Sequence, residues 1–337
     1  MHFINPMFGT SSLQAALEQG LDSSSDIIIW GARSFPEVEV YASEHGLELF
    51  RVEDGFIRSV GLGSDLTQPY SLVIDRRGIY FDPTRESDLE HLLQHYDFDG
   101  EPQLLERAAS IRRCLVDKRL SKYNLYDEQE LDLPKDRRVV LVPGQVEDDA
   151  SIRLGAPGMS NLELLRQVRH NAPDAYIVYK PHPDVLVGNR IGQVDEGEAL
   201  QYCNRIVTAV SLDSVLMHAD EVHTMTSLVG FEALMRGKNV TTYGMPFYAG
   251  WGLTTDMQRC ERRSRKVTTA QLVAAVLLLY PRYISPATKR LCKIEEVLEA
   301  LEAEREHFNR SWWYRHLMEL RNGISRGLQR VWRAASK

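Results

Sequence analysis

The chain has 337 residues, of which 43% are hydrophobic and 26% charged. That length accommodates two domains of ordinary size, and the composition excludes a disordered or fibrous protein. A net charge of −7 argues against a nucleic-acid binder, and no apolar run approaches the ~18 residues that a spanning helix needs.

The opening Met-His-Phe-Ile-Asn-Pro has no basic region followed by an apolar stretch, so no secretory leader is expected. Asp26-Ile27-Ile28-Ile29-Trp30, ended by Gly31, reads as a buried strand. A helix is predicted over 35–45 and a second strand over Leu49–Val52. The segment that follows, Glu53-Asp54-Gly55-Phe56-Ile57-Arg58-Ser59, places Glu53, Asp54 and Arg58 where they can face a cleft. A carboxylate there suits general acid/base work; the alternative is a salt-bridged loop. Gly61-Leu62-Gly63 lacks the third glycine of a dinucleotide fingerprint, and the chain holds no P-loop. Ser71–Asp75 and Gly78–Phe81 flank an Asp-Arg-Arg-Gly turn and read as a hairpin or two short strands. Helices are predicted over roughly 86–96 and 102–120, and the polar, proline-containing stretch 127–137 reads as a linker.

A new strand, Val139–Gly144, leads into Gln145-Val146-Glu147-Asp148-Asp149-Ala150-Ser151. Three acids at the carboxyl end of a buried strand offer a nucleophile, a base or a metal ligand; an acidic surface loop is the alternative. No second carboxylate pair at useful spacing supports a magnesium site. Strand Ala175–Lys180 ends in Lys180-Pro181-His182-Pro183-Asp184, where two prolines hold the histidine in a rigid turn. Lysine and histidine at a strand end suit a phosphate or another anionic leaving group. Further strands are predicted at Ile206–Thr208, Glu221–Thr224 and Val240–Tyr243, with helices near 160–170, 212–218 and 227–236. Thr226 or Ser227 caps the last of these, and a capped helix start is also an anion site. Glu232, inside that helix, can reach a ribose hydroxyl, whereas His218 and His223 share no helix face and read as structural. Tyr243–Leu253 is rich in glycine and aromatics, so Tyr248 and Trp251 either line a sugar or base pocket or pack in the core.

Cys114, Cys203, Cys260 and Cys292 form no C-x-x-C pair, which argues against a disulfide scaffold or cysteine-based zinc site and for a reducing cytoplasm. Residues 310–337 hold seven Lys/Arg and one acid, a net +6, which leaves −13 on residues 1–309. With Trp312, Trp313 and Tyr314, this tail either lies on anionic lipid or belongs to a helix packed on the first domain. Strands alternating with helices predict an α/β fold with a parallel sheet in each half, two Rossmann-like domains and a ligand cleft between them. The expected units are an amino-terminal domain (1–130), a second domain (138–295) and carboxy-terminal helices with the basic tail (296–337).

Six segments together resemble the bacterial capsule β-Kdo transferase family of KpsC. They are Glu53-Asp54-Gly55-Phe56-x-Arg58-Ser59, Ser121-Lys122-Tyr123-Asn124, Gln145-x-x-x-Asp149-x-Ser151, Lys180-x-His182-Pro183, Thr226-Ser227-x-x-Gly230-Phe231-Glu232-Ala233-Leu234 and Tyr248-Ala249-Gly250-Trp251-Gly252-Leu253. KpsC-like proteins usually carry two transferase modules, and this chain resembles the carboxy-terminal one. The resemblance implies a GT-B glycosyltransferase that uses CMP-β-Kdo and retains the β configuration, with no cofactor and no metal. It implies that the first domain faces the acceptor and the second holds the nucleotide. It implies Asp149 as nucleophile, with Asp148 outside the motif; Lys180 and His182 at the CMP phosphate; Thr226 and Ser227 capping a helix against that phosphate; and Glu232 at the ribose. Glu53 or Asp54 is the candidate base, Arg58 a candidate for the sugar carboxylate, and Gln145, Ser151, Tyr248 and Trp251 further substrate contacts. The implied acceptor is a Kdo-terminated phosphatidylglycerol-type glycolipid at the cytoplasmic face of the inner membrane, where other capsule assembly proteins are possible partners. The implied linkage is β-(2→7), with β-(2→4) as the family's other option. A sugar-nucleotide epimerase of the same architecture and a non-catalytic glycan-binding module are the competing readings.

Overall fold

Why a second sheet begins at residue 139 is plain from its first strand. The computed structural model, which describes residues 12–57, 69–120, 131–186, 188, 190–208 and 210–310 (side chains through 306), shows all of Val139–Pro143 buried. Val139 and Leu141 enter one apolar core while Val140 and Val142 enter another, the alternation of a strand covered on both faces. Each such side chain contributes about 1.5–3 kcal/mol on burial.

The strands among the described residues are β1 (Ile27–Trp30), β2 (Leu49–Asp54), β3 (Ser71–Asp75), β4 (Val139–Pro143), β5 (Tyr176–Lys180), β6 (Arg205–Ile206), β7 (Glu221–Thr224), β8 (Asn239–Thr242), β9 (Thr255–Asp256), β10 (Pro281–Ile284) and β11 (Leu291–Cys292). The second sheet runs β6-β5-β4-β7-β8-β9 and is parallel throughout. Pro143 registers with Lys180 and Leu141 with Val222. The loops leaving β5, β4 and β7 therefore emerge side by side, and the strand order reverses between β4 and β7. Such a switch point is where open α/β sheets hold ligands.

The first sheet, β1-β2-β3-β10-β11, corrects the expectation of a parallel sheet in each half. Only β1 and β2 are parallel; β3, β10 and β11 pair antiparallel. Gly55 permits this return, because its N–H donates to the Ser71 carbonyl at 2.9 Å and any Cβ there would overlap Ser71. Gly78–Phe81 is likewise not a strand but a turn. Asp75 Oδ1 accepts the N–H groups of Arg77 and Gly78 (3.0 and 2.8 Å), while Oδ2 accepts those of Asp88 and the Tyr280 hydroxyl (3.0 and 2.7 Å). This buried carboxylate wraps the chain around itself.

Pro281–Cys292 also departs from expectation. It extends the first sheet rather than the second, ahead of the boundary expected at 295. The helix Ile294–Arg310 then packs on the first half, with Arg107 Nε on Glu295 at 2.7 Å and the Tyr70 hydroxyl on Glu304 at 2.9 Å. The basic tail beyond 310, Arg58 and the Ser121–Asn124 motif lie outside the described residues. Among the described residues, no helix is long and apolar enough to cross a membrane.

Two devices join the halves. An aromatic seam places Phe56, after β2, against Tyr80 and Phe247 at 4.7 and 4.9 Å, with Phe231 5.6 Å from Phe247. Beside it, buried Glu90 on the helix Asp88–His95 accepts from Arg262 Nε at 2.7 Å and Arg263 Nε at 3.0 Å. Arg263 also donates to the carbonyls of Pro246 and Ala249 (2.6 and 2.8 Å), tying the loop after β8 to the first half.

Candidate functional site

Between the sheets lies a cleft of about 420 Å³. The first half supplies Glu53 and Asp54 at the end of β2, with Tyr80 and Phe81 beside them. The second supplies the carboxyl ends of β4, β5 and β7: Gln145, Asp149 and Ser151; Lys180 and His182; Thr226, Ser227 and Glu232. Ten residues expected from sequence thus line one cavity.

Asp149 caps the helix Ala150–Gly155, and the cap decides which of its oxygens is available. Oδ1 accepts both the backbone N–H and the hydroxyl of Ser151 (2.9 and 2.7 Å). Oδ2 is left to the cleft. The neighbouring Asp148 is exposed, does not line the cleft, and is held by Arg190 at 3.1 Å. Geometry therefore separates two adjacent acids that composition cannot. Behind Asp149 the polar groups form one chain. Gln145 Nε2 donates to Thr226 Oγ1 at 3.0 Å, and Thr226 Oγ1 donates to Ser151 Oγ at 3.3 Å. Gln145 Oε1 accepts the Thr226 N–H at 2.9 Å, and its backbone is held by Asn161. Gln145 spans the switch point between β4 and β7; its side-chain amide is spent on positioning, with only an edge open to the cleft.

The strand ends that flank the Asp149 loop suit an anion. The Lys180 side chain is 8% exposed and donates to the Val210 carbonyl at 2.6 Å. Burial of the ammonium lowers its pKa from 10.5 to about 8. An incoming anion relieves that cost, so the site is built to favour one. His182 Nδ1 accepts the Asp184 N–H at 3.1 Å, which makes Nε2 the proton-bearing nitrogen of the neutral ring. Ser227 caps the helix Leu228–Met235, its Oγ accepting from the Val229 N–H at 3.2 Å. The first turn of that helix, Leu228 and Val229, opens on the cleft, and buried Glu232 lies further along it. A lysine, a ring nitrogen and a helix start thus line one cleft, the kinds of group that phosphate sites use.

Tyr248 and Trp251, expected as substrate contacts, are corrected to core residues. Both are fully buried and neither lines the cleft. The Tyr248 hydroxyl, kept protonated because burial drives its pKa well above the usual value, donates to the Ser227 carbonyl at 2.5 Å. Its ring lies against Gly230, where any side chain would overlap it. The Trp251 indole donates to the Phe247 carbonyl at 2.8 Å. These aromatics support the helix start and the loop from behind, and it is Pro246 and Phe247 of that loop that reach the cavity. Sequence reasoning missed Arg190, Asp184 and the Tyr80–Phe81 pair. Arg190 follows an irregular stretch with no periodicity, and Tyr80–Phe81 reads as a strand.

A family model described as capsule polysaccharide biosynthesis protein matches residues 25–124 and 95–283. Capsule polysaccharide modification protein LipA of Neisseria meningitidis serogroup A is 44% identical over 318 residues, 94% of this chain and 43% of that protein. The chain thus spans less than half the length of this relative. Two solved structures of Thermosulfurimonas dismutans KpsC are similar. Its β-Kdo 2,4 transferase is 38% identical with a TM-score of 0.74, over 82% of this chain and 86% of that one. Its β-Kdo 2,7 transferase is 40% identical with a TM-score of 0.71, over 88% and 91%.

Proposed function

The chain belongs to the capsule polysaccharide biosynthesis protein family, and from that premise we propose that it is a retaining β-Kdo glycosyltransferase of GT-B architecture. The donor is CMP-β-Kdo. The acceptor is a Kdo-terminated, lipid-linked saccharide. The linkage is taken as β-(2→7), with β-(2→4) as the alternative: the 2,7 transferase has the slightly higher identity and coverage and the 2,4 transferase the slightly higher TM-score, so linkage analysis of one product makes the choice. One observation carries the reading: a single carboxylate, Asp149, pinned through Oδ1 and open through Oδ2, in a cleft with an anion-binding wall and two carboxylates from the other sheet.

The anomeric carbon of Kdo bears a carboxylate, so its substitution passes through an oxocarbenium-like state. Retention follows from two inversions. In the first, Asp149 Oδ2 attacks the anomeric carbon as the bond to the CMP phosphate oxygen breaks. Lys180, the Nε2–H of His182 and the helix start at Ser227 take up the charge on the departing phosphate, so the step needs no metal. Glu232 serves the ribose. In the second inversion the acceptor hydroxyl attacks the anomeric carbon of the glycosyl-Asp149 intermediate as Glu53 or Asp54 takes its proton, the bond from that carbon to Asp149 Oδ2 breaks, and the Asp149 carboxylate is regenerated. Ser151, by holding Oδ1, keeps the nucleophilic oxygen aimed. Gln145 keeps Thr226 and Ser151 in place. The basic tail would hold the enzyme at the cytoplasmic face of the inner membrane, where such an acceptor resides.

The test is direct. Asp149→Asn should keep CMP affinity and lose Kdo transfer by about four orders of magnitude, as when a covalent nucleophile is removed, while Asp148→Asn should remain active. Near wild-type transfer by Asp149→Asn would falsify the assignment. An epimerase would instead convert a UDP-sugar without acceptor, and a binding module would release no CMP.

A further inference from the structure

We propose that Glu86, His91 and His95 form a binding site for one divalent transition-metal ion of the zinc class, outside the cleft. The potential ligand atoms of these three residues all lie within 4.8 Å of one another. His91 and His95 are four residues apart on the helix Asp88–His95 and so share a face, with ring centroids 4.6 Å apart. This is the two-histidine spacing that helices use to chelate zinc. Glu86 Oε1 is 3.3 Å from His91 Nδ1. That is long for a hydrogen bond, whose usual N···O separation is about 2.9 Å. It matches the separation of about 3.3 Å between two ligands on a tetrahedral ion with bonds near 2.0–2.1 Å. A small rotation of the exposed His95 ring completes three ligands, and water serves as the fourth.

The surroundings support the site from outside. Arg77 Nε lies 3.4 Å from Glu86 Oε2 and so turns Oε1 toward His91, the role an outer partner plays for a ligating carboxylate. Asp88, paired with the same guanidinium, offsets its charge. Glu86 precedes Ser87, whose hydroxyl caps the helix by accepting the Glu90 N–H at 3.0 Å. A bound ion therefore staples the approach to the helix onto its last turn. The same helix carries Glu90, which holds Arg262 and Arg263 and, through Arg263, the cleft loop. The ion is structural, and it stiffens the element that anchors one wall of the cleft. No cysteine takes part, so cysteine spacing does not reveal it.

Tag-free, chelator-stripped protein is titrated with CoCl2, and the visible d–d absorption is followed. The wild type should bind one equivalent and give a band that ZnCl2 displaces. His91→Ala/His95→Ala should lose that band, Glu86→Gln should weaken binding about tenfold, and His170→Ala, at an exposed histidine elsewhere, should bind as the wild type does. Zinc should raise the melting temperature of the wild type and not that of the double variant. All the substituted side chains are at least partly solvent-exposed, and circular dichroism checks that each variant is folded. A wild type without the band, or a double variant that keeps it, overturns the proposal. Neither result depends on glycosyl transfer.

Discussion

Replacing Lys180 with methionine should make the ligand-free protein less sensitive to pH while weakening its hold on the donor. The side chain is 8% exposed, and burial lowers its pKa from 10.5 to about 8. Between those two values the unfolded chain carries more protons than the folded one, so stability rises with pH through that window. The cost of burying the charge, fully present below pH 8, comes to about 3 kcal/mol at 1.36 kcal/mol for each tenfold change in proton affinity. By pH 9 about 1 kcal/mol of it should be recovered. Lys180→Met has no such proton to lose. The variant also gives up the hydrogen bond to the Val210 carbonyl, but that loss is nearly the same at every pH and cancels in the comparison. Urea melts of both proteins at pH 7 and pH 9 measure the difference. The stability of the wild type minus that of the variant should rise by about 1 kcal/mol across that interval. Calorimetry should show CMP bound at least about tenfold more weakly by the variant, since one charge-assisted contact to phosphate is gone. If the stability difference is flat with pH while CMP binding is unchanged, Lys180 is neither a costly buried cation nor a phosphate ligand.

Glu90→Gln should cost about 3 kcal/mol in urea melts, because it leaves the buried Arg263 with an incomplete partner; CMP should also bind more weakly as the Pro246–Phe247 loop loosens. Gly230→Ala should cost about 1–3 kcal/mol by forcing a side chain into the Tyr248 ring, and a variant as stable as the wild type would show that the helix and loop can part freely. Ser151→Ala should lower kcat roughly tenfold with CMP affinity unchanged, since it frees Asp149 Oδ1 from one of its two hydrogen bonds. A rise in KM alone would place Ser151 at the substrate rather than behind the nucleophile.

Where both faces of a strand are covered, the apolar runs predicted it well: β4, β5 and β7 fall within a residue or two of their expected bounds. The errors lie where local pattern and tertiary pairing diverge. Gly78–Phe81 has strand composition, yet Asp75 captures three backbone N–H groups and turns the chain. Antiparallel pairing of β3 depends on Gly55 clearing Ser71 and on β10 arriving from more than two hundred residues away. No window of sequence contains those contacts.

The site shows the same division in sharper form. Which residues gather at the cleft was legible, because strand ends in a parallel sheet point their loops the same way. What each does was less so, since a motif marks a residue without saying whether it faces the ligand or stands behind it. Asp148 and Asp149 are alike in composition; the motif singles out Asp149, and the cap on Ala150–Gly155 and the pull of Arg190 give that choice a physical form. Tyr248 has the character of a pocket residue, but its hydroxyl is needed at the Ser227 carbonyl. That bond and the glycine at 230 bring an aromatic ring flush against the helix whose first turn opens on the cleft. Gln145 is tied on both sides, through Asn161 to its own loop and through Thr226 to the neighbouring strand. Such residues must keep their chemistry as strictly as a ligand contact does, because a donor lost at Gln145 would displace Thr226 and then Ser151 before it reached Asp149.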